Sequence, residues 1–565
     1  MKKALAWALT LALTAGSFSS AALAEATTEG ADTAEGLEIS ACIASEPETI
    51  DPTMISSVDG SNYTQHTFEG LMKYVPIETS ATSEDSGVNL LVADYGQAES
   101  YEVSEDGLTY TFHLRDDICW SDGEPVTAND FVYSWQRLAN PETAADYGYL
   151  LDGIVENWSE IQAGEKAPEE LGITAVDDKT LEIRLVALCP YFTDMCCFST
   201  LMPLRQDVIE EYDTAWTDPE NFVCNGPYVM SDWVHDSYIE MVPNDYYYAP
   251  TGGPSKITWY LSADQTSMLA SYQAGEYDFF DSVPADQITA LRESGDCFVA
   301  DQICTYYLYL NCDEITDWRV RAAINLVIDR ENIVENVTQG GQTPATGLVA
   351  AGVTTYDDQV WTDVYDNVLF GALQEMYPDY DLSDYDERCD LAEELLDEAV
   401  EDGYDTSVTI DYEYNTSETH KAIAEAVQAD VADNLGIDIV LNNQEWNVYT
   451  TNLGEGSFGM ARLGWSADYD DPVTYVELLV NDGTYNYGHW VSDEYTELVA
   501  QAKSMADGEE RDALMAEAEA LMFSEDGFPI VPLYFYTQLF CMHEGFANVG
   551  WTPLGYFIFS YTTAA

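Results

Sequence analysis

VTIDYEYNTSETHKAIAEAVQADVADNLGIDIVL, residues 408–441, changes hydrophobic period twice. Residues 408–414 alternate as a strand does, 417–435 carry a helical pattern that stops at Gly436, and 437–441 read as a returning strand. Strand, helix and strand in that order make a β-α-β crossover, normally right-handed, which puts the chain in the α/β class. The chain continues through Trp446 and a glycine-bearing loop into Met460-Ala461-Arg462-Leu463-Gly464-Trp465-Ser466-Ala467-Asp468-Tyr469-Asp470-Asp471-Pro472. Here a strand-like approach carrying one arginine meets an aromatic residue, then turns through carboxylates to a proline suited to the first position of a helix. Flanked by Met460, Ala461 and Leu463, Arg462 needs an anionic partner, because an unpaired charge in apolar surroundings is costly. An internal Arg–Asp salt bridge is one answer and a ligand is the other.

Outward from this core, residues 493–506 and 509–523 read as helices and 530–536 as an aromatic strand. Upstream, 306–310 reads as a strand, Asp317 as the cap of a helix from about 319 to 337, and 351–385 as an acidic, tyrosine-rich surface insertion with short helices. Asp106-Gly107 is a turn feeding a strand, and Thr127 with Asp130 resembles a capping pair before a helical face of Phe131, Val132, Trp135 and Leu138. A chain of 565 residues exceeds one ordinary core and implies two to four domains.

Met1-Lys2-Lys3, the apolar run 4–15 and Ala22-Leu23-Ala24 form a secretory signal cleaved after Ala24, and residues 25–36 read as a disordered linker. The net charge of −84 becomes more negative once Lys2 and Lys3 leave with the signal. Such a surface repels nucleic acid and anionic lipid and favours cationic ligands. Eleven cysteines in an exported chain permit disulfides, with short-range candidates among Cys297, Cys304 and Cys312 and among Cys189, Cys196, Cys197 and Cys224. Cys-x-x-Cys spacing is absent and the six histidines are scattered, so no metal site is expected. Gly-x-Ser-x-Gly, His-Glu-x-x-His, P-loop and dinucleotide motifs are also absent, and no catalytic residue or cofactor is assigned.

Several blocks together resemble a known family: Glu46-Pro47-Glu48-Thr49-Ile50-Asp51-Pro52, Phe68-Glu69-Gly70-Leu71, the run from Asp106 through Trp120-Ser121-Asp122-Gly123 to Arg137, Asn225-Gly226-Pro227-Tyr228, Arg319-Val320-Arg321-Ala322-Ala323-Ile324 with Asp329-Arg330, and the Met460–Pro472 stretch. In this order they are similar to the extracellular solute-binding proteins of oligopeptide ABC importers, family 5. The resemblance implies an α/β, two-lobed periplasmic-binding-protein-like fold with a hinge and an additional third domain. It divides the chain into signal (1–24), linker (25–36), a discontinuous lobe I (37–74, 180–303 and 525–565), an additional domain packed on it (75–179) and lobe II (304–524).

It also implies roles. Asp468 would pair with the α-ammonium of a peptide and Arg462 with the carboxylate of a short one, while His420 would reach the carboxylate of longer peptides as a second cation. Trp446 and Trp465 would wall side-chain pockets, and Tyr147 would face the ligand from the other lobe. This agrees with elementary chemistry, since a general peptide binder must anchor what all peptides share, two charged termini and a backbone. The sequence departs from the family at Thr338, where better-known members carry a lysine, and at Ser466, where they carry a cysteine bridged to the one matching Cys304. The expected protein is a monomeric, non-catalytic, periplasmic or extracellular subunit that captures oligopeptides and delivers them to ABC importer permease subunits, with no nucleic-acid partner. A nickel complex, haem or a glycan as the solute, or a secreted acidic hydrolase, are the alternatives.

Overall fold

The structure, a computed structural model, describes residues 36–565 apart from 45, 48, 77–87, 250–251, 263, 285–286 and 358. The export signal and all of the linker except Gly36 therefore lie outside the described residues. No helix among the described residues is long and apolar enough to cross a membrane.

The strands, in chain order, are β1 (Glu38–Ala44), β2 (Met72–Pro76), β3 (Val88–Tyr95), β4 (Ala98–Val103), β5 (Thr109–Leu114), β6 (Ile173–Asp177), β7 (Thr180–Arg184), β8 (Tyr228–Val234), β9 (Tyr238–Pro243), β10 (Lys256–Leu261), β11 (Phe279–Phe280), β12 (Cys297–Leu310) and β13 (Thr343–Pro344). They continue with β14 (Ile410–Asn415), β15 (Ile439–Gln444), β16 (Met460–Ser466), β17 (Ile530–Met542), β18 (Phe546–Ala547), β19 (Val549–Thr552), β20 (Tyr556–Ile558) and β21 (Thr563–Ala564). One sheet runs in the order β15-β14-β16-β12-β17-β11-β1-β10-β9-β8, with β13 on β17. Its two ends are the two lobes: β8–β11 with β1 build one, and β14–β16 the other. Among the described strands, β12 and β17 alone pass through both. Their antiparallel pairing is regular from Cys297 to Asp301 and resumes, shifted, at Thr305, so the crossover is the point where the ladder is interrupted. Smaller sheets β4-β5-β7-β6 and β2-β3-β19-β20 flank the first lobe, and β18 pairs with β21.

The β-α-β reading holds. β14 and β15 are parallel, joined by the helix Glu418–Leu435, whose cap Ser417 accepts from the His420 N–H and whose stop Gly436 is left-handed at φ +63°. Asp106-Gly107 turns into β5, and Thr127 and Asp130 form a capping box on the helix Ala128–Ala139.

Most family motifs turn out to be scaffold. Asp51 accepts a forked pair of hydrogen bonds from Arg137 at 2.8 and 2.6 Å, tying the Pro52 loop to that helix. Asn225 bonds both the N–H and the C=O of Glu69, and a Cβ on Gly226 would lie 2.5 Å from the Thr67 backbone, so only glycine permits the approach.

Three expectations are corrected. The helix drawn over 319–337 stops at Val327, and a second starts at Arg330. Asp329 caps the new start by accepting from the Asn332 N–H, while the Arg330 guanidinium takes the carbonyls of Asn325 and Pro532. The glycine-bearing loop after Trp446 is largely helix, Trp446–Gly454, because Tyr449 and Leu453 bury one turn apart. None of the short-range disulfides forms. Cys297 instead bridges Cys541, 244 residues away and directly opposite it in the β12–β17 ladder, while Cys189, Cys196, Cys197, Cys224, Cys304 and Cys312 stay as thiols.

Candidate functional site

β16 brings the charged stretch to the inner edge of the second lobe, beside the crossing strand β12, with Arg462 opposite Leu308 and Ser466 opposite Cys304. Arg462 is 8% exposed. Its Nη1 donates to Asn415 at 3.0 Å, its plane lies 5.2 Å over the Tyr306 ring, and its Nε carries no hydrogen bond. The Tyr449 hydroxyl donates to the backbone carbonyl of Arg462 and locks that part of the strand. Among the described residues Arg462 forms no ion pair.

Asp468 sits at the turn beyond β16. Its carboxyl is pushed up to about 7, first by burial and then by the charge of Glu477, with the nearby Tyr147 hydroxyl working in the opposite direction. Tyr147 belongs to the turn Asp146–Tyr149 on the far side of the cleft and rests on Phe198 at 4.9 Å. Arg462 and Asp468 therefore do not neutralise each other, and the expected alternative of an Arg–Asp bridge within the stretch is not formed. An Arg–Asp bridge does exist close by: Asp471 binds Arg511 through two hydrogen bonds of 2.8 Å.

His420 lies beside Arg462, its Nδ1 sharing a hydrogen bond with the Tyr306 hydroxyl at 3.3 Å. Without a carboxylate ligand beside it the ring is uncharged. Burial, and then the Arg462 charge, push its imidazole down to about 3, so it faces the cleft as a neutral donor or acceptor. Trp465 anchors its indole N–H on Thr474 at 3.1 Å and meets Tyr485 edge-on at 4.9 Å. Trp446 stands apart, 50% exposed at the start of its helix, with its ring 6.0 Å from Tyr449.

Tyrosine is what residue-by-residue reading missed. Tyr306, Tyr534 and Tyr536 stack beside Arg462 from the crossing strands, while Tyr149 packs on Tyr147 at 5.7 Å and Tyr485 meets Trp465. The count of 39 tyrosines was a signal, but their placement depends on strand register. Cys304 faces Ser466 as a free thiol, raised to about 12 chiefly by burial and hence unreactive. No group of three or more His, Cys, Asp or Glu among the described residues is arranged to hold a metal ion.

Comparison with known proteins identifies the family. The sequence pattern of the bacterial extracellular solute-binding proteins, family 5 Middle, matches residues 95–487. The chain is 33% identical over 503 residues to the periplasmic oligopeptide-binding protein OppA of Salmonella typhimurium, covering 87% of this chain and 86% of that one. It is 30% identical over 516 residues to the oligopeptide-binding protein OppA of Bacillus subtilis, covering 90% and 89%. Among solved structures it resembles Haemophilus influenzae OppA in complex with the peptide RPPGFSPFR, with a TM-score of 0.73 and 29% identity over 93% of this chain and 98% of that one. It also resembles the Escherichia coli murein tripeptide binding protein MppA, with a TM-score of 0.74 and 29% identity over 93% and 98%. These relatives are binding proteins rather than enzymes. The chain belongs to the bacterial extracellular solute-binding proteins, family 5.

Proposed function

We propose that the protein captures oligopeptides outside the cytoplasmic membrane, closes its two lobes over them and presents them to the permease of an ABC importer. It acts as a monomer and without catalysis. The observation that carries this reading is a pair of opposite charges on one stretch, Arg462 buried and Asp468 half-buried just beyond β16, neither paired with an opposite charge among the described residues. A buried lone charge is costly unless a partner arrives. A peptide supplies both partners, its ammonium for Asp468 and its carboxylate for Arg462, and the neutral His420 and the tyrosines offer hydrogen bonds to the backbone between them.

In this reading Tyr147 closes over the ammonium end from the opposite lobe and Trp465 walls a side-chain pocket. The exposed Trp446 takes part only if a longer ligand reaches it. We retain residues 37–74, 180–303 and 525–565 as the first lobe, 75–179 as the additional domain and 304–524 as the second. Support comes from the strands, since β1 and β8–β11 fall within the first and β14–β16 within the second.

The test is mass spectrometry of ligand co-purified with the protein, followed by calorimetry with that peptide free, N-acetylated and C-amidated. Binding that ignores both blocked termini would reject the reading, and turnover of the peptide would reject its non-catalytic part.

A further inference from the structure

A second contact joins the lobes away from the two anchors. Tyr191 stacks flat on Tyr469, ring centroids 4.1 Å apart and planes 4° from parallel. Tyr191 opens the short helix Phe192–Met195, whose Phe192 packs on Tyr110 of β5 and on Trp135, so this segment moves with the first lobe and its additional domain. Tyr469 lies in the turn after β16 and moves with the second. The Arg511 guanidinium, 6.0 Å from the Tyr191 ring, completes the slot. Behind the stacked pair lies a cavity of about 370 Å³ walled by both lobes, into which Asp194 faces opposite Asp470 and Asp471.

The charges around Asp194 are unequal. Asp471 is consumed by Arg511, and Asp470 is held by the Thr354 N–H and hydroxyl at 2.9 Å each. From its own side, among the described residues, Asp194 sees Tyr74 of β2, Tyr101 of β4, Cys196 and Cys197, none of them a cation. Asp507 and Asp512 add further carboxyl groups to the opposite wall.

We propose that Tyr191 and Asp194 form a closure latch separate from the peptide anchors, in which the Tyr191–Tyr469 stack holds the lobes together and repulsion between Asp194 and the Asp470–Asp471 turn resists it. Acid strengthens the latch. In the closed form burial, then Asp470 and Asp471, raise the Asp194 carboxyl to about 7, whereas a solvated carboxyl in the open form titrates near 4. Closing therefore takes up a proton between those values, and the closed form loses stability as the pH rises through that window.

Small-angle X-ray scattering of the full-length, ligand-stripped protein at pH 8 and pH 6 tests this without reference to any peptide. Wild type should contract on acidification. Asp194→Asn should be compact at both values and Tyr191→Ala expanded at both, with peptide dissociating several-fold faster from Tyr191→Ala. Asp397→Asn, which changes an exposed carboxylate on the helix Tyr385–Glu401 and does not line the cavity, should keep the wild-type response. The full wild-type pH response surviving in Asp194→Asn, or lost in Asp397→Asn, would overturn the proposal. Circular dichroism checks that each variant is folded, and if Tyr191→Ala is not, the isosteric Asp194→Asn decides alone.

Discussion

Asp468 and Asp471 are three residues apart in one turn and differ in every respect that matters to their role. Asp471 is 6% exposed, grips Arg511, itself 1% exposed, with both oxygens, and accepts the Val473 N–H. Asp468 has a tyrosine hydroxyl from the opposite lobe and a second carboxylate, Glu477, as its charged neighbour. The first is a finished structural pair that fixes the turn. Under the proposed function the second is the charge that receives the ammonium of a peptide. The contrast teaches that in this chain it is the state of a carboxylate's partners that separates a finished structural pair from a candidate binding residue.

The comparison is broken most directly by removing the Asp468 carboxylate in one variant and the partner of Asp471 in another. Asp468→Ala should cost about 3–5 kcal/mol of peptide affinity by calorimetry, the scale for deleting one partner of a buried ion pair, with the thermal transition kept. Arg511→Met should do the reverse. It leaves Asp471 buried and alone, costs about 3–5 kcal/mol of folding stability in denaturant titrations, and weakens binding only through the turn. Equal effects of both changes on both readouts would erase the distinction.

A smaller effect sharpens it. Because the carboxyl of Asp468 is raised to about 7 in the ligand-free protein, the folded state favours its proton, and stability is lost as the pH rises from the ordinary carboxylate range through 7. Asp468→Asn should therefore raise the melting temperature at pH 8 and leave it unchanged near pH 4, while Asp471→Asn lowers it at pH 8. Smaller again is the effect at His420. With its imidazole already neutral, His420→Gln should leave the pH dependence of peptide affinity between 5 and 8 as it is in wild type. The weakest effect is long-range: with a net charge of −84, cationic peptides should associate faster than anionic ones at low salt in stopped-flow measurements, and the gap should close as salt rises.

Local chemistry explains which parts could be read in advance. Ser417, Gly436, Thr127, Asp130 and Gly107 act on backbone groups within four residues, so caps, turns and the β-α-β unit were legible from their own neighbourhoods. The helix break at Ile328 was not. Although Asp329 is a local cap, the Arg330 side chain that stabilises the break reaches the carbonyl of Pro532, about two hundred residues on. The helix at Trp446 was missed for a similar reason, since its amphipathic pair, Tyr449 and Leu453, is short and is buried only by neighbouring strands.

By itself the sequence determined the α/β class, the motifs of the family and the two opposite charges flanking Trp465, because periodicity, capping and residue identity are properties of short segments. Only the tertiary structure decided that Cys297 faces Cys541, that His420 is neutral, that Arg511 takes Asp471 and leaves Asp468 alone, and that Tyr147 and Tyr191 meet the second lobe. Each of these depends on strand register and on the charges that lobe closure brings together, which are set by contacts between residues far apart in the chain.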